Sequence, residues 1–483
     1  MNSNTSNDHS IEIALPMGRL RGRRVGADEG VSGEAVHFFG NIPYAQPPFG
    51  GNRFKAPQPP LPWAGVRDAT CFGPAAPQAP RVPDTEETIV GGEDCLTLNI
   101  WRPARAALAT TPLPVFIYVP GGGFMRGQSG DPMYDGASFA RQGVVFVSFN
   151  YRIGMDGFMA FDDAAAGEVA LNRGLLDQCA AIEWVRQHIA LFGGDPARLT
   201  LGGVSAGAGA IVHLLGMPAL RHAISRVILQ SPSITCHSLE DAQRSRMAIA
   251  SILGTAATRD ALAALPLHLV VRVVARLLAE YELRASHAMS PKHFFPLRPV
   301  ADSAMVHADP LAHLERLWRD GTGTPLQILV GANAQEMNFY LVPGGEIDRV
   351  DWPRVRAFAQ AVGLDAAAIP ETGHPGEVLA ALQGAHYYQK PAQALSALAR
   401  RVGASAWHYQ FAWQSPQFGG RMGAAHAMEV PFAFNRLGIE RALEMTGANA
   451  PQRLADEMHH AWAAFARGES PARWSPSETK VFS

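Results

Sequence analysis

Residues 199–215, LTLGGVSAGAGAIVHLL, constrain the fold more than any other stretch, because an apolar strand-like run passes into a helical pattern through Gly203-Val204-Ser205-Ala206-Gly207. A serine on so sharp a strand-to-helix turn sits on strained backbone, and small neighbours are needed where the chain passes close to itself. Glycines on both sides meet that need. A Gly-rich helix start with a capping serine has a similar pattern. The position between strand and helix is what makes Ser205 a candidate nucleophile.

Other apolar runs of strand length fall at 96–101, 113–119, 144–149, 227–230, 326–330 and 406–413. Helical patterns separate several of them; in 175–191, Leu176, Cys179, Ile182, Val185 and Ile189 share one face at three-to-four spacing. This alternation predicts an α/β protein with a large, mostly parallel sheet and helices on both faces. Residues 240–320 and 345–400 break the alternation with Ala, Leu and Arg. They are read as helical insertions that roof a pocket, with plain surface helices as the competing reading. The Pro-rich stretch 76–90 is expected to be a loop.

A second glycine cluster, Pro120-Gly121-Gly122-Gly123-Phe124, directly follows the run LPVFIYV. Three glycines allow backbone N–H groups to approach a developing oxyanion without Cβ obstruction. A flexible turn is the alternative. A phosphate cradle is disfavoured, because no Lys-Ser/Thr follows and no G-x-G-x-x-G frame fits. A serine nucleophile then needs an acid and a histidine, in that chain order, on loops behind strands. Glu336 follows the run PLQILVGAN, and His426 stands in the small-residue loop Gly423-Ala424-Ala425-His426-Ala427. His408 lies within a strand pattern, and His459 and His460 within a helical one, where packing or exposure is the expected role.

Composition excludes several classes of function. With 47% hydrophobic and 17% charged residues the chain is expected to be globular with a large core. A net charge of -2 offers no general attraction for nucleic acid. No run approaches the length of a membrane span, and the N-terminus has no basic segment followed by an apolar one, so cytoplasmic residence is expected. Cys71, Cys95, Cys179 and Cys236 lack metal-site spacing.

Taken together, these residues resemble the type-B carboxylesterases, which include the cholinesterases and bacterial para-nitrobenzyl esterases. The resemblance runs from Phe39-Gly40-Asn41-Ile42-Pro43-Tyr44-Ala45, Pro47-Pro48 and Arg53-Phe54 through Glu93-Asp94-Cys95-Leu96-Thr97-Leu98-Asn99. It continues in Asn150-Tyr151-Arg152, Gly174-Leu175-Leu176-Asp177-Gln178 and Phe192-Gly193-Gly194-Asp195-Pro196, up to Ser205. It implies an α/β-hydrolase fold over 1–483 as one catalytic domain, and hydrolysis of small to medium uncharged esters through an acyl-enzyme on Ser205. It further implies Glu336 and His426 as the other triad members, Gly122, Gly123 and Ala206 as oxyanion donors, and Ser231 as a support for the acid. Arg53 with Glu93 and Arg152 with Asp177 are implied as ion pairs, and Cys71 with Cys95 as a disulfide that a reducing cytosol would disfavour. No metal or organic cofactor is implied, and oligomeric state is left open.

Four residue choices depart from the family's pattern. Val204 replaces the usual Glu before the nucleophile, Pro120 replaces His or Tyr, and Gln335 replaces Asp before the acid. The segment 71–95 has no Trp to bind a quaternary ammonium group, so choline esters are not expected substrates. Phe294, Phe295, Phe339, Tyr340 and Trp413 are candidates for lining the pocket, with packed core as the alternative for each. A carbamate or anilide hydrolase using the same triad, and a non-catalytic binding relative, are the competing functions; an intact Ser, Glu and His set disfavours the latter.

Overall fold

The computed structural model describes residues 10–26, 34–80, 89–107, 111–163, 171–220, 222–302, 304–321, 326–471 and 474–483. The N-terminal residues 1–9 and part of the Pro-rich stretch, 81–88, lie outside them. Among the described residues twelve strands join one sheet. Strands β1 (Ser10–Leu15), β2 (Gly18–Val25), β3 (Val36–Pro43) and β5 (Thr97–Pro103) form an antiparallel flank, with β4 (Val66–Asp68) paired to β2. The rest is parallel. Its order is β7 (Val145–Phe149), β6 (Leu113–Val119), β8 (Gly194–Val204), β9 (Arg226–Gln230), β10 (Gln327–Asn333), β11 (Ala406–Phe411) and β12 (Thr479–Phe482).

Continuous apolar strands arise because both faces of the parallel region are covered. In β6, Val115, Ile117 and Val119 enter one core while Phe116 and Tyr118 enter the other, and all five are buried. The helix Arg173–His188 adds Leu175, Ile182 and Val185 to the first core. On the opposite face, the helix Gln452–Arg467 buries Leu454, Met458, Trp462 and Phe465. Each such side chain contributes roughly 1.5–3 kcal/mol when removed from water, more than helix propensity alone provides.

Every expected strand run overlaps an observed strand, although several bounds shift by one or two residues and β8 extends well beyond 199–202. The antiparallel flank was not expected. In β2, GRLRGRRV, Leu20 and Gly22 are buried while Arg19 and Arg21 are exposed, so the apolar signal is too sparse to read.

The stretch 240–320 is helical in large part, including Leu239–Ile252, Leu267–Ala279 and Pro310–Arg319, but 287–302 and 304–309 carry no helix. The stretch 345–400 differs in part, because its last helix, Lys390–Arg401, packs on β10 and β11 as an ordinary covering helix. Between it and the helix Pro375–Gly384 lies a π-helical turn, Ala385–Gln389.

Arg152 and Asp177 form the expected ion pair, fully buried and bidentate, with Nε–Oδ2 2.8 Å and Nη2–Oδ1 2.7 Å. The Arg53–Glu93 pairing is corrected: Glu93 is exposed, and Arg53 Nε donates to Asp156 Oδ1 at 2.7 Å. Asp156 competes successfully because it is buried in the first turn of the helix Gly154–Phe158. The Cys71–Cys95 bridge is corrected too, since all four cysteines are free thiols. Cys95 is buried in the core, where desolvation pushes its thiol pKa up, whereas Cys71 is exposed beside Thr70. No helix among the described residues is long and apolar enough to cross a membrane.

Candidate active site

The carboxyl ends of β6, β8, β9, β10 and β11 point loops toward one centre, as expected for ligand sites in parallel sheets. Ser205 joins β8 to the helix Ala206–Leu215 with φ 57° and ψ −121°, a region that non-glycine residues rarely occupy. Its flanking glycines have a steric reason. A Cβ at Gly207 would lie 2.1 Å from Val119 O, and one at Gly203 would lie 2.9 Å from both Val119 O and Gly207 C. The serine is thereby pushed forward at the start of a helix, where N–H groups and the helix dipole favour negative charge.

The glycine loop behind β6 borders it directly. A Cβ at Gly121 would lie 3.2 Å from Ser205 Cβ. Gly122 and Gly123 have φ 129° and 63°, conformations that L side chains seldom adopt. The loop is pinned from behind, where Tyr151 Oη donates to Pro120 O at 2.9 Å and Gln78 exchanges two hydrogen bonds with the Gly127 backbone. Asn150, of the Asn150-Tyr151-Arg152 motif, accepts from Ser129 N at 2.7 Å. These motif residues are therefore scaffold for the glycine loop.

Glu336 and His426 are brought together, with Glu336 Oε2 2.5 Å from His426 Nδ1. The carboxylate also accepts from Ser231 Oγ and from Asn333 N, each at 2.6 Å. Gln335 has a structural role at this position: its Oε1 accepts from Ala424 N at 2.7 Å, its N donates to Ala424 O at 2.9 Å, and His426 N donates to Glu336 O at 3.1 Å. Glu336 and His426 are both buried, and Ser205 is 4% exposed. His426 Nε2 has no hydrogen-bond partner among the described residues, while the hydroxyl of Tyr340 faces the Ser205 side chain.

A second carboxylate behind the site was missed from sequence. Glu429 accepts from Asn333 Nδ2 at 2.6 Å and from Gln230 Nε2 at 3.0 Å. Burial, reinforced by the charge of Glu336, pushes its pKa up to about 7. Position three beyond His426 was the available signal, but a lone Glu there reads as a solvated residue. Val204 is buried in the sheet core and brings no charge to the centre.

Aromatic rings enclose the centre. Phe294 and Phe295 lie 4.9 Å and 6.0 Å from Tyr340, and a Cβ at Gly123 would lie 2.3 Å from the Phe295 ring. Phe339 and Tyr340 lie 6.2 Å and 5.6 Å from His426. Trp413 takes the packed-core alternative, lying on Phe432 at 5.3 Å against the core of the other face. Tyr388, not anticipated, is the ring nearest His426, with centroids 4.4 Å apart. A cavity of about 260 Å³, lined by Gln389, Gln393, Ser396, Arg400, His408 and Gln410 among others, contains none of Ser205, Glu336 and His426.

Comparison with known proteins places this geometry in a family. Residues 8–350 match the carboxylesterase family. The chain is 31% identical over 467 residues to the para-nitrobenzyl esterase of Bacillus subtilis (strain 168), covering 92% of this chain and 89% of that protein. It is 32% identical over 467 residues to the fumonisin B1 esterase of Sphingopyxis macrogoltabida, covering 92% and 81%. It is 32% identical over 460 residues to the phenmedipham hydrolase of Pseudarthrobacter oxydans, covering 91% and 87%. Among solved structures, a thermophilic para-nitrobenzyl esterase superposes with a TM-score of 0.79 at 27% identity, covering 98% of this chain and 95% of that one. A carboxylesterase of Geobacillus stearothermophilus gives 0.77 at 29% identity, covering 95% and 91%. With its sheet order, glycine loop and Ser, Glu and His arrangement, the chain belongs to the carboxylesterase family and has the α/β-hydrolase fold.

Proposed function

We propose that Ser205, Glu336 and His426 carry out the ester hydrolysis of this carboxylesterase, with Gly122, Gly123 and Ala206 N–H groups receiving the oxyanion. The observation that carries this assignment is the convergence of three loops, with the Glu336–His426 bond at 2.5 Å beside a strained serine. Ser205 Oγ turns to His426 Nε2, a contact that tightens when substrate is present. It then attacks the ester carbonyl. His426 takes the hydroxyl proton and delivers it to the leaving alcohol, while Glu336 stabilises the imidazolium. Water then cleaves the acyl-serine by the same relay.

Small to medium uncharged esters fit the aromatic walls and the uncharged Val204. Strands from β1 to β12 share one sheet, which supports a single catalytic unit. The four free thiols favour a reducing cytoplasm. The test is hydrolysis of a series of nitrophenyl esters of increasing acyl length by wild type and Ser205→Ala. Wild type is expected to give a burst of nitrophenolate that the variant lacks; equal rates in both would overturn the assignment.

A further inference from the structure

The hydroxyls of Tyr340 and Tyr388 take no part in the steps above, yet they are built into the reacting centre. They lie 3.4 Å apart; the first faces the Ser205 side chain with its ring 5.6 Å from that of His426, and the ring of the second lies over His426 at 4.4 Å. Tyr388 sits on the π-helical turn Ala385–Gln389. Such turns are rare and concentrate at functional sites, because the extra residue turns side chains out of the helical register. This one is anchored on both sides. Gln389 Nε2 donates to Asn333 O and Ala334 O at 3.0 and 3.1 Å, and Tyr387 Oη donates to Lys292 O at 3.0 Å.

We propose that the Tyr340–Tyr388 hydroxyl pair is a specificity-determining subsite for the first atom of the acyl group. It favours an N–H or an oxygen there, as in carbamates and carbonates, over the methylene of a plain alkanoate. The inference rests on Ser205 being the nucleophile. After Oγ bonds to the carbonyl carbon, three substituents remain to be placed. The oxyanion goes to the N–H groups of the glycine loop and Ala206, and the leaving oxygen must face His426 Nε2 to receive its proton. The first acyl atom is left for the hydroxyl that bordered Oγ.

A phenol can both donate and accept. Desolvation raises the pKa of both phenols, so each keeps its proton. One O–H joins the two tyrosines, which leaves one O–H and the remaining lone pairs for the substrate. A carbamate N–H donates to the phenol oxygen; a carbonate oxygen accepts from the phenol hydrogen. A methylene does neither, and leaves the buried phenol without a partner on the substrate. In the reaction, the Ser205 Oγ–carbon bond forms, the carbon–oxygen bond to the alcohol breaks, and the serine proton leaves with the alcohol. The product is a carbamoyl- or alkoxycarbonyl-serine that water then cleaves.

The experiment compares para-nitrophenyl butanoate, N-ethylcarbamate and ethyl carbonate, which match in acyl size and leaving group. Acylation is read from the pre-steady-state release of nitrophenolate by wild type, Tyr340→Phe, Tyr388→Phe and Ser205→Ala. In Tyr340→Phe the carbamate-to-butanoate and carbonate-to-butanoate ratios are expected to fall about 10-fold or more, the size of a lost hydrogen bond in a buried site. Tyr388→Phe should lower both ratios less, and it supplies the reading if Tyr340→Phe does not fold. Ratios within about 2-fold of wild type in the folded variants would overturn the subsite, since a lost buried hydrogen bond exceeds that. A butanoate burst in Ser205→Ala would instead overturn the nucleophile assignment, whatever the tyrosine variants do.

Discussion

Replacing Glu429 with glutamine should remove a pH dependence of stability that the fold builds in beside the active site. Burial and the charge of Glu336 hold the Glu429 pKa up at about 7, against 4.5 for an ordinary glutamate. Between those values the native state keeps a proton that the unfolded chain has released. Fewer protons bound in the unfolded state mean that stability falls as pH rises. The window spans about 2.5 pH units, and at 1.36 kcal/mol per unit the loss is about 3 kcal/mol, complete above pH 7. In Glu429→Gln this group no longer titrates, although the amide must share Asn333 and Gln230 as partners. The assay is urea unfolding of both proteins at a series of pH values from 4.5 to 8. Titrating groups that are not coupled to Glu429 cancel in the difference between the two curves, so the wild type should lose up to about 3 kcal/mol relative to the variant over that range. Parallel curves would refute the reasoning, and a wild type that gained stability with pH would reverse its sign.

Ser231→Ala removes one of the two donors that hold Glu336 apart from His426, leaving Asn333 N. The expected loss in kcat is about 10- to 100-fold, the equivalent of one hydrogen bond to a charged group, read by ester turnover and by the rate of fluorophosphonate labelling. Gly122→Ala would place a Cβ 1.9 Å from Arg126 O at φ 129°. It should displace the oxyanion loop and lower kcat by about 100- to 1000-fold, and a near-wild-type burst amplitude and rate would contradict the loop's role.

The parallel half of the sheet was legible because its strands are buried on both faces and read as continuous apolar runs. The antiparallel flank was not, since a strand such as β2 shows only Leu20 and Gly22 to the interior among exposed arginines. Ser205 and the glycine loop were legible for a steric reason: close backbone crossings admit only glycine, and glycine clusters are visible in one dimension. Glu336 and His426 needed the order rule and loop position as well. Side chains that act across long separations left no local mark. Arg53 finds Asp156 instead of Glu93, and Glu429 reaches Gln230 from 199 positions away. Tyr388 was hidden for another reason, because a π-helical turn shifts the helical register on which a face assignment depends.

Gln335 leaves a consequence for how such an enzyme diversifies. Its side chain and backbone fasten the loop of the acid to that of the base at Ala424, and His426 N closes the same seam on Glu336 O. Acid and base therefore travel together as a clip, with its spacing set by main-chain geometry. The aromatic walls at Phe294 and Phe295 come from another segment, which takes no part in that seam. Inherited changes of substrate can accumulate in those walls while proton transfer stays in register, so drift in specificity and constancy of chemistry are separable properties of this chain.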